Sequence, residues 1–253
     1  MAALGGEPLP GSLPQRKAAQ AIRGVLLDKD GTLFDFQATW GAWTRGLIEA
    51  ESEGDPLVAT RLADALGIDM AAGRFRPDSV VIASTTETVA GVVLPHLPRP
   101  TTKEELMARL DARSRTAPQV EAAPLREVLG RLRGMGLKLG VATNDSEAPA
   151  RAHLEGVMDL LDFVAGFDSG HGAKPGPGQL LAFAEAVGVR PAECAMVGDS
   201  LHDLAAARAA GMVGVGVLTG PAGRDTLEGA AAVVLGSIAE LPGWIEGRGV
   251  GTL

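Results

Sequence analysis

The chain has 253 residues, of which 46% are hydrophobic and 21% are charged, so it is long and apolar enough to bury a sizeable core. Its net charge of −8 argues against a general nucleic-acid or anionic-membrane surface, although a small anionic substrate needs only a local cationic site. The single cysteine, Cys194, excludes an intrachain disulfide, and no stretch approaches the roughly 18 apolar residues of a membrane span. Residues 1–20 lack the apolar segment of a signal peptide and are typical of a flexible tail, so we expect a cytoplasmic protein.

Short apolar runs recur along the chain, beginning with residues 24–27, which end at Asp28. A brief run that is apolar on both faces predicts a buried parallel strand. Five more such runs are found at residues 137–142, 163–165, 195–197, 213–217 and 232–235. Segments with helical spacing lie between most of them, at residues 124–135, 146–156, 179–187 and 201–210. This alternation predicts an α/β fold with a doubly wound parallel sheet.

Residues 36–120 interrupt the alternation. Their spacing predicts helices at about 38–53, 56–66, 85–94 and 101–116, one strand-like run at 80–83 and a turn, in a small hairpin, at 74–79. Ser84 and Glu87 fit a capping box for the third helix, and Thr101 or Thr102 is placed to cap the fourth. We therefore predict a core formed by residues 21–35 and 121–253, with a mostly helical insert formed by residues 36–120.

Two carboxylates follow the first predicted strand, at Asp28 and Asp30. Residues two apart in an extended chain face the same way, and the carboxyl ends of parallel strands are where such folds bind ligands. Two adjacent carboxylates repel each other unless a cation lies between them, and hard oxygen ligands suit Mg²⁺. Taken alone, the pair fits a helix cap or a solvated loop equally well, so its meaning depends on the other strand ends.

Those strand ends carry further polar groups. Thr143 and Asn144 follow the second core strand, where a hydroxyl and free N–H groups at a helix start can hold an anion or simply cap the helix. Lys174 stands in a Gly/Pro-rich loop before a helix, either as a counter-ion at the sheet edge or as a surface lysine. Asp199 follows the next strand, and Asp203 lies one helical turn further on. Their placement on successive strand ends favours one shared site.

Taken together, these motifs resemble those of the haloacid dehalogenase-like hydrolase superfamily. Four motifs are matched in order: DKDGTL, the apolar strand ending in Thr143, Lys174 in KPGP, and GDSLHD. The insert occupies the position of the helical cap found in phosphoglycolate phosphatase-like members. The resemblance implies a Rossmann-like core and a Mg²⁺-dependent phosphatase that hydrolyses a small phosphorylated metabolite through an aspartyl-phosphate intermediate.

The resemblance also implies roles for individual residues. Asp28 matches the position of the family's nucleophile. Asp30 matches the position of the acid that protonates the leaving oxygen and then, as a base, activates water, which fits the need for two carboxylates in different roles. Mg²⁺ would be bound by Asp28, Asp199 and the backbone carbonyl of Asp30.

The remaining motif residues would serve the phosphoryl group. Thr143 and the N–H of Asn144 would hold its oxygens, Lys174 would stabilise the charge that develops during transfer, and Asp203 would orient Lys174 or bind a metal-held water. Lys29 departs from the pattern, because the family usually has an apolar residue there. Alternation predicts that Lys29 points away from the phosphate, toward the cap or solvent.

Several alternatives remain at this stage. Dehalogenases of the superfamily attack carbon and need neither Asp30 nor Mg²⁺, and phosphonate hydrolases use a cap lysine, for which Lys103 is the sole candidate. A phosphosugar mutase shares every core residue. Outside the superfamily, a receiver-like phospho-acceptor domain is another alternative, but such a domain is about half this length and has no large insert. A binding protein whose hydrolase core has lost its activity is a further alternative, but it would not need Asp30.

Substrate specificity is expected to lie in residues 36–120, because the core motifs handle only the phosphoryl group. Trp40 and Trp43 lie on one face of a predicted helix, either as cap core or as an apolar wall over the substrate. Arg74 and Arg76 are candidates for a substrate carboxylate or second phosphate, or else belong to a solvated turn. His171 has no evident partner, and its role stays open.

Overall fold

The computed structural model describes residues 21–76, 78–82 and 84–248, so the predicted tail at residues 1–20 lies outside the described residues. The strands of the described chain are β1 Gly24–Leu27, β2 Ile68–Asp69, β3 Arg74–Phe75, β4 Lys138–Ala142, β5 Phe163–Ala165, β6 Cys194–Gly198, β7 Val213–Val217 and β8 Val233–Leu235. The α-helices are α1 Phe36–Glu51, α2 Pro56–Leu66, α3 Thr86–Val93, α4 Lys103–Ser114, α5 Leu125–Gly134, α6 Glu147–His153, α7 Gly178–Ala186, α8 Leu201–Ala210, α9 Arg224–Leu227 and α10 Leu241–Arg248.

Six of the strands form one parallel sheet in the order β5-β4-β1-β6-β7-β8. The sheet has helices on both faces, and separate clusters of buried apolar side chains cover each face. The predicted α/β, Rossmann-like doubly wound fold is therefore confirmed. Each predicted core strand lies within a residue or two of its observed position.

Strand β1 lies inside the sheet, and all four of its residues are buried, which explains why its sequence is apolar on both faces. Leu27 pairs with Val141 of β4 on one side and with Val197 of β6 on the other. The three strands therefore end at the same level. The residues that follow them meet at one place, which we call the carboxyl edge.

The chain between β1 and α5 holds helices α1 to α4 and the antiparallel hairpin of β2 and β3. These helices enclose an apolar cluster of their own, which includes Trp40, Trp43, Leu62 and Leu106. The bidentate pair of Arg109 with the buried Glu51 fastens α4 to α1 at N–O distances of 2.8 and 2.9 Å. A small hairpin is present as predicted, but its connecting turn lies at residues 70–73 and not at 74–79, because Arg74 and Phe75 form its second strand.

Two further local predictions in this segment are wrong. Residues 80–82 of the predicted strand-like run form turns and a bend, because no partner strand lies beside them, and residue 83 lies outside the described residues. Helix α3 is capped by Thr85 instead of Ser84, since the Thr85 hydroxyl accepts a hydrogen bond from the Thr88 N–H at 3.2 Å. For α4 the predicted cap is present: Thr102 and Glu105 form a reciprocal capping box.

Among the residues that the structure describes, every helix is too short or too polar to cross a membrane.

Candidate active site

A cavity lies between the carboxyl edge and the inserted helices. Its core side is polar and carries all seven predicted core residues, together with three others: Asp28, Asp30, Thr143, Asn144, Asp145, Lys174, Asp199, Ser200, His202 and Asp203. Its opposite side is an apolar wall, our name for Phe36, Trp40, Trp43, Val81, Ile82, Val89 and Leu110. Three hydroxyl residues interrupt that wall: Ser84, Thr86 and Ser114.

Lys174 lies at the centre of the charged groups. Its buried ammonium is 2.5 Å from Asp28 Oδ1 and 2.7 Å from Asp203 Oδ1, and it donates to the carbonyl of Ala142 at 2.8 Å. Burial alone would lower the pKa of Lys174, but the carboxylates of Asp203 and Asp28 outweigh it, and the pKa is raised. Lys174 is therefore a permanently charged partner for the Asp28 carboxylate.

The carboxylates of Asp28, Asp199 and Asp203 crowd together, with one oxygen of each within 4.8 Å of the others. Burial raises the pKa of Asp28 to about 7, in spite of the opposing effect of Lys174, and the charges on Asp203 and Asp30 add to the rise. Burial, Asp28 and Asp203 raise the pKa of Asp199 in the same way. Three buried carboxylates against one ammonium leave a surplus of negative charge. Hard oxygen donors with that surplus fit a divalent cation such as Mg²⁺.

The turn after Asp28 leaves no room for a larger residue at Gly31. Its φ of +81° is in the left-handed region, and an added Cβ would come within 2.4 Å of Asp199 Oδ2. Glycine therefore lets the first motif approach the aspartate of the fourth motif closely.

Asn144 connects the second motif to the lysine loop. Its side chain donates to the Lys174 carbonyl and accepts from the Lys174 N–H, both at 2.9 Å. Gln179 in α7 donates to the Thr143 carbonyl at 2.9 Å, while the Thr143 hydroxyl accepts from the Asp145 N–H at 3.0 Å. These contacts fix the position of Lys174 relative to Thr143.

Lys29 lies only partly where alternation predicts. It is fully buried, and its ammonium contacts both carboxylate oxygens of Asp30 at 2.8 Å and lies 3.4 Å from Asp145 Oδ2. The predicted direction toward solvent is wrong, whereas the predicted direction toward the inserted helices agrees with the position of Lys29 near Trp40. Its contact with Asp30 arises because the chain leaves the extended conformation after Leu27 and turns at Gly31. Burial alone would lower the pKa of Lys29, but Asp30 and Asp145 outweigh it and the pKa is raised.

The Lys29 ammonium also bridges to the inserted helices. It lies 3.2 Å from His153 Nδ1 in α6 and 5.5 Å from the ring centre of Trp40 in α1. His153 Nε2 donates to the carbonyl of Ser114 at the end of α4, at 2.7 Å. Burial, followed by the charge of Lys29, lowers the pKa of His153 to about 4, so the neutral ring can accept at Nδ1 while it donates at Nε2.

Three further residues line the cavity although the sequence motifs predicted no role for them: Asp145, Ser200 and His202. Asp145 and Ser200 directly follow predicted motif residues near strand ends, and that position was the available signal. Ser200 also caps α8, where its hydroxyl donates to Asp203 Oδ2 at 2.6 Å. Because Asp203 Oδ2 accepts from Ser200, Asp203 Oδ1 is the oxygen that contacts Lys174.

The predicted residues of the inserted segment divide into two groups. Trp40 and Trp43 line the cavity and pack edge to face, with ring centres 5.1 Å apart, so they serve both as core and as wall. Arg74 and Arg76 are exposed and line no part of the cavity. Arg76 instead donates to the Asp64 carbonyl at 2.6 Å. The structure thus does not bring these two arginines to the site.

Two other residues also lie outside the cavity. Lys103, the cap lysine that a phosphonate hydrolase would need, is partly exposed and pairs with Glu87 at 2.6 Å. His171 is exposed, with its ring centre 6.3 Å from that of Phe163. Among the described residues, no lysine of the inserted segment reaches the cavity.

This fold and this arrangement of polar strand ends define a known class of protein. The family described as haloacid dehalogenase-like hydrolase matches residues 22–211, and the chain belongs to it.

Individual relatives differ in how much of the chain they match. A phosphoglycolate phosphatase of Rhodospirillum rubrum is 38% identical over 120 residues, or 47% of this chain and 50% of that protein, so the match spans about half of each. "Probable phosphatase IndB" of Dickeya dadantii is 30% identical over 223 residues, or 87% of this chain and 91% of that protein. Among solved structures, a HAD phosphatase from Thermococcus onnurineus matches with a TM-score of 0.57 and 26% identity, over 89% of this chain and 99% of that one.

Proposed function

We propose that this protein is a phosphatase that hydrolyses a small phosphomonoester, with Asp28 as the nucleophile and an aspartyl phosphate as the intermediate. One observation carries the proposal. The Asp28 carboxylate lies at the end of an interior strand, in contact with the buried Lys174 ammonium and open to the cavity, in a chain that belongs to a hydrolase family. A carboxylate held in this way can attack phosphorus without losing its orientation.

The two aspartates of the first motif would divide the work. Asp28 would attack phosphorus, and the bond to the leaving oxygen would break as that oxygen takes a proton from the Asp30 carboxyl. Water would then attack the aspartyl phosphate after giving a proton to Asp30, which releases phosphate and restores Asp28. The two contacts of Lys29 with Asp30, both at 2.8 Å, fix the position of the Asp30 side chain.

The other motif residues would hold the phosphoryl group. The hydroxyl of Thr143 and the N–H of Asn144 would contact its oxygens, and Lys174 would offset the charge that grows during transfer. Asp203 would keep Lys174 in position, as its 2.7 Å contact indicates.

Mg²⁺ is the proposed cofactor. Asp28, Asp199 and the backbone carbonyl of Asp30 would hold it, with Asp203 as a further carboxylate in reach. When bound, the ion neutralises negative charge on the phosphoryl oxygens and on the crowded carboxylates.

Residues 36–120 would act as the cap of this phosphatase. Their helices cover the carboxyl edge and enclose the cavity from the side opposite the nucleophile, which keeps bulk water from the reacting group. Phosphoglycolate is one substrate to test, because the Rhodospirillum rubrum relative is a phosphoglycolate phosphatase.

A panel of phosphorylated metabolites, assayed for phosphate release with Mg²⁺ present, tests this function. We expect release by the wild-type chain, and a fall of at least roughly 10³-fold in kcat for Asp28→Asn, which keeps the shape of the side chain and removes the nucleophile. Wild-type turnover by Asp28→Asn would remove Asp28 as the nucleophile. Isomerisation of a sugar phosphate without release would instead identify a mutase.

A further inference from the structure

The substrate reaches beyond the phosphoryl site, and the structure limits what its other part can be. The apolar wall faces the catalytic groups and includes Trp40, Trp43, Val81, Val89 and Leu110. Beside the wall, the inserted segment adds only hydroxyl residues to the lining, at Ser84, Thr86 and Ser114. Whatever leaves with the ester oxygen is therefore surrounded by apolar side chains and uncharged hydroxyls.

Basic side chains are missing from this part of the lining. None of the arginine, lysine or histidine residues in the described part of the inserted segment lines the cavity. Several of them are held elsewhere by acidic partners: Arg76 by Asp64, Arg99 by Glu53, Lys103 by Glu87 and Arg109 by Glu51. A carboxylate on the leaving group would find no counter-ion there, and an unpaired charge against an apolar surface is strongly disfavoured.

Helix α3 begins at Thr86, beside the cavity, and a helix N-terminus is the other feature that could hold a carboxylate. Its donors are already partly used, since Thr85 accepts from the Thr88 N–H at 3.2 Å. Glu87 in the same first turn puts a negative charge at the positive end of the helix. This terminus is therefore poorly suited to a second anion.

The core side does not make up for the missing cation. It contributes five aspartates to the lining, and Lys174 is already in contact with Asp28 and Asp203. His202 also lines the cavity from the core side, at the first turn of α8, and does not belong to the apolar wall.

From this contrast we infer that the preferred substrate is a phosphomonoester whose leaving group is uncharged and largely apolar, such as an aryl or alkyl alcohol, and not a carboxylate-bearing one. The inference rests on the proposed phosphatase function and adds the chemical class of the substrate. The cavity's one strongly charged region serves the phosphoryl group, and the apolar wall serves the alcohol.

The test compares two substrates on one scaffold, phenyl phosphate and 4-carboxyphenyl phosphate, which differ by a single charge remote from the ester bond. Phosphate release by the full chain with Mg²⁺ gives kcat/KM for each, with phosphoglycolate as a third substrate. We expect kcat/KM for phenyl phosphate to exceed that for either carboxylate by at least about tenfold, because only the neutral group is matched by the wall.

A charge-insertion variant sharpens the test. Thr86→Lys puts an ammonium at a half-buried position in the cavity lining. We expect it to lower the ratio of kcat/KM for phenyl phosphate to kcat/KM for 4-carboxyphenyl phosphate at least about threefold, because the ammonium would pair with the carboxylate. Leu57→Lys is the matched control: it adds the same charge in the first turn of α2, at a residue that is 69% exposed and outside the cavity, and it should leave the ratio unchanged.

The outcomes separate the two proposals. If the wild type releases phosphate from none of the three substrates and from no member of a wider panel of phosphomonoesters, both the phosphatase function and this inference are overturned. Release from 4-carboxyphenyl phosphate or phosphoglycolate that equals or exceeds release from phenyl phosphate overturns only the inference. An equal shift of the ratio by Thr86→Lys and Leu57→Lys also overturns it, since the effect would then come from net charge and not from the wall.

Discussion

The two sides of the cavity are built on opposite principles. At the carboxyl edge, aspartates and lysines are buried and in contact, so that each ammonium touches at least two carboxylates. On the facing side, the inserted helices offer apolar rings and aliphatic chains, and their charged groups lie away from the cavity. Under the proposed function, this difference would separate two tasks: the carboxyl edge would bind the phosphoryl group of any substrate, and the apolar wall would contact the part that varies between substrates.

Removal of the proposed Mg²⁺ is expected to have the largest effect on phosphate release, because the ion would balance the charge of the crowded carboxylates at the carboxyl edge. A chelator should abolish phosphate release, and added Mg²⁺ should restore it. Mg²⁺ at about 100 times its Kd should also stabilise the fold by about 2.7 kcal/mol, measured as a shift of the thermal transition. Asp199→Asn should lose most of that shift. Full activity in metal-free buffer would contradict the assignment of the carboxylate cluster to a metal.

Loss of the proton-transfer group at the edge comes next. Asp30→Asn keeps the side-chain volume but cannot exchange a proton, so kcat should fall by about 10²- to 10⁴-fold. Asp159→Asn removes a carboxylate that is exposed and paired with Arg126, and serves as the control with unchanged kcat. Equal rates for Asp30→Asn and wild type would take Asp30 out of the mechanism.

The buried Lys29 allows a test of how much the edge depends on its paired charges. Lys29→Met keeps the chain length and leaves Asp30 and Asp145 without their ammonium, so the free energy of unfolding should fall by about 3 kcal/mol, measured by urea denaturation. Lys138→Met, at a partly exposed lysine 3.9 Å from Asp162, should cost less than about 1 kcal/mol. Similar losses in the free energy of unfolding for the two variants would mean that the buried ion pairs of Lys29 stabilise the fold no more than an exposed ion pair does.

The smallest effect is expected on the inserted side. Arg76→Ala removes an exposed side chain outside the cavity, so kcat/KM should stay within about twofold of wild type and stability within about 0.5 kcal/mol. Arg74→Ala should behave in the same way. A large rise in KM for either variant would place these arginines at the substrate and break the contrast between the two sides.

The core could be predicted from sequence because a buried parallel strand needs an apolar run and short connections, and these are local properties. The same reasoning found the strand ends that carry Asp28, Thr143 and Asp199. It failed at Val81 and Ile82, whose apolar character reflects the wall of a cavity and not a strand, since a strand also requires a partner. It could not place Arg76, because the position of the hairpin depends on packing between distant segments.

Lys29 itself shows where a local rule stops. Side chains alternate strictly between two faces only while the chain is extended. Here the extended strand β1 ends at Leu27, and the chain bends at Lys29. A lysine between two aspartates in sequence gives no sign that His153 in α6, more than a hundred residues later, will accept from its ammonium. Only folding brings His153 in α6 beside Lys29, which follows β1.

The position of Lys29 means that the end of β1 has two kinds of counter-ion. On one flank, Asp28, Asp199 and Asp203 share a single lysine, so a cation or a proton from solution would have to balance the remaining negative charge. On the other flank, Asp30 and Asp145 are served by an ammonium that is part of the chain and cannot dissociate. In the proposed enzyme, one flank would therefore depend on the supply of metal, whereas Lys29 holds Asp30 in place without it.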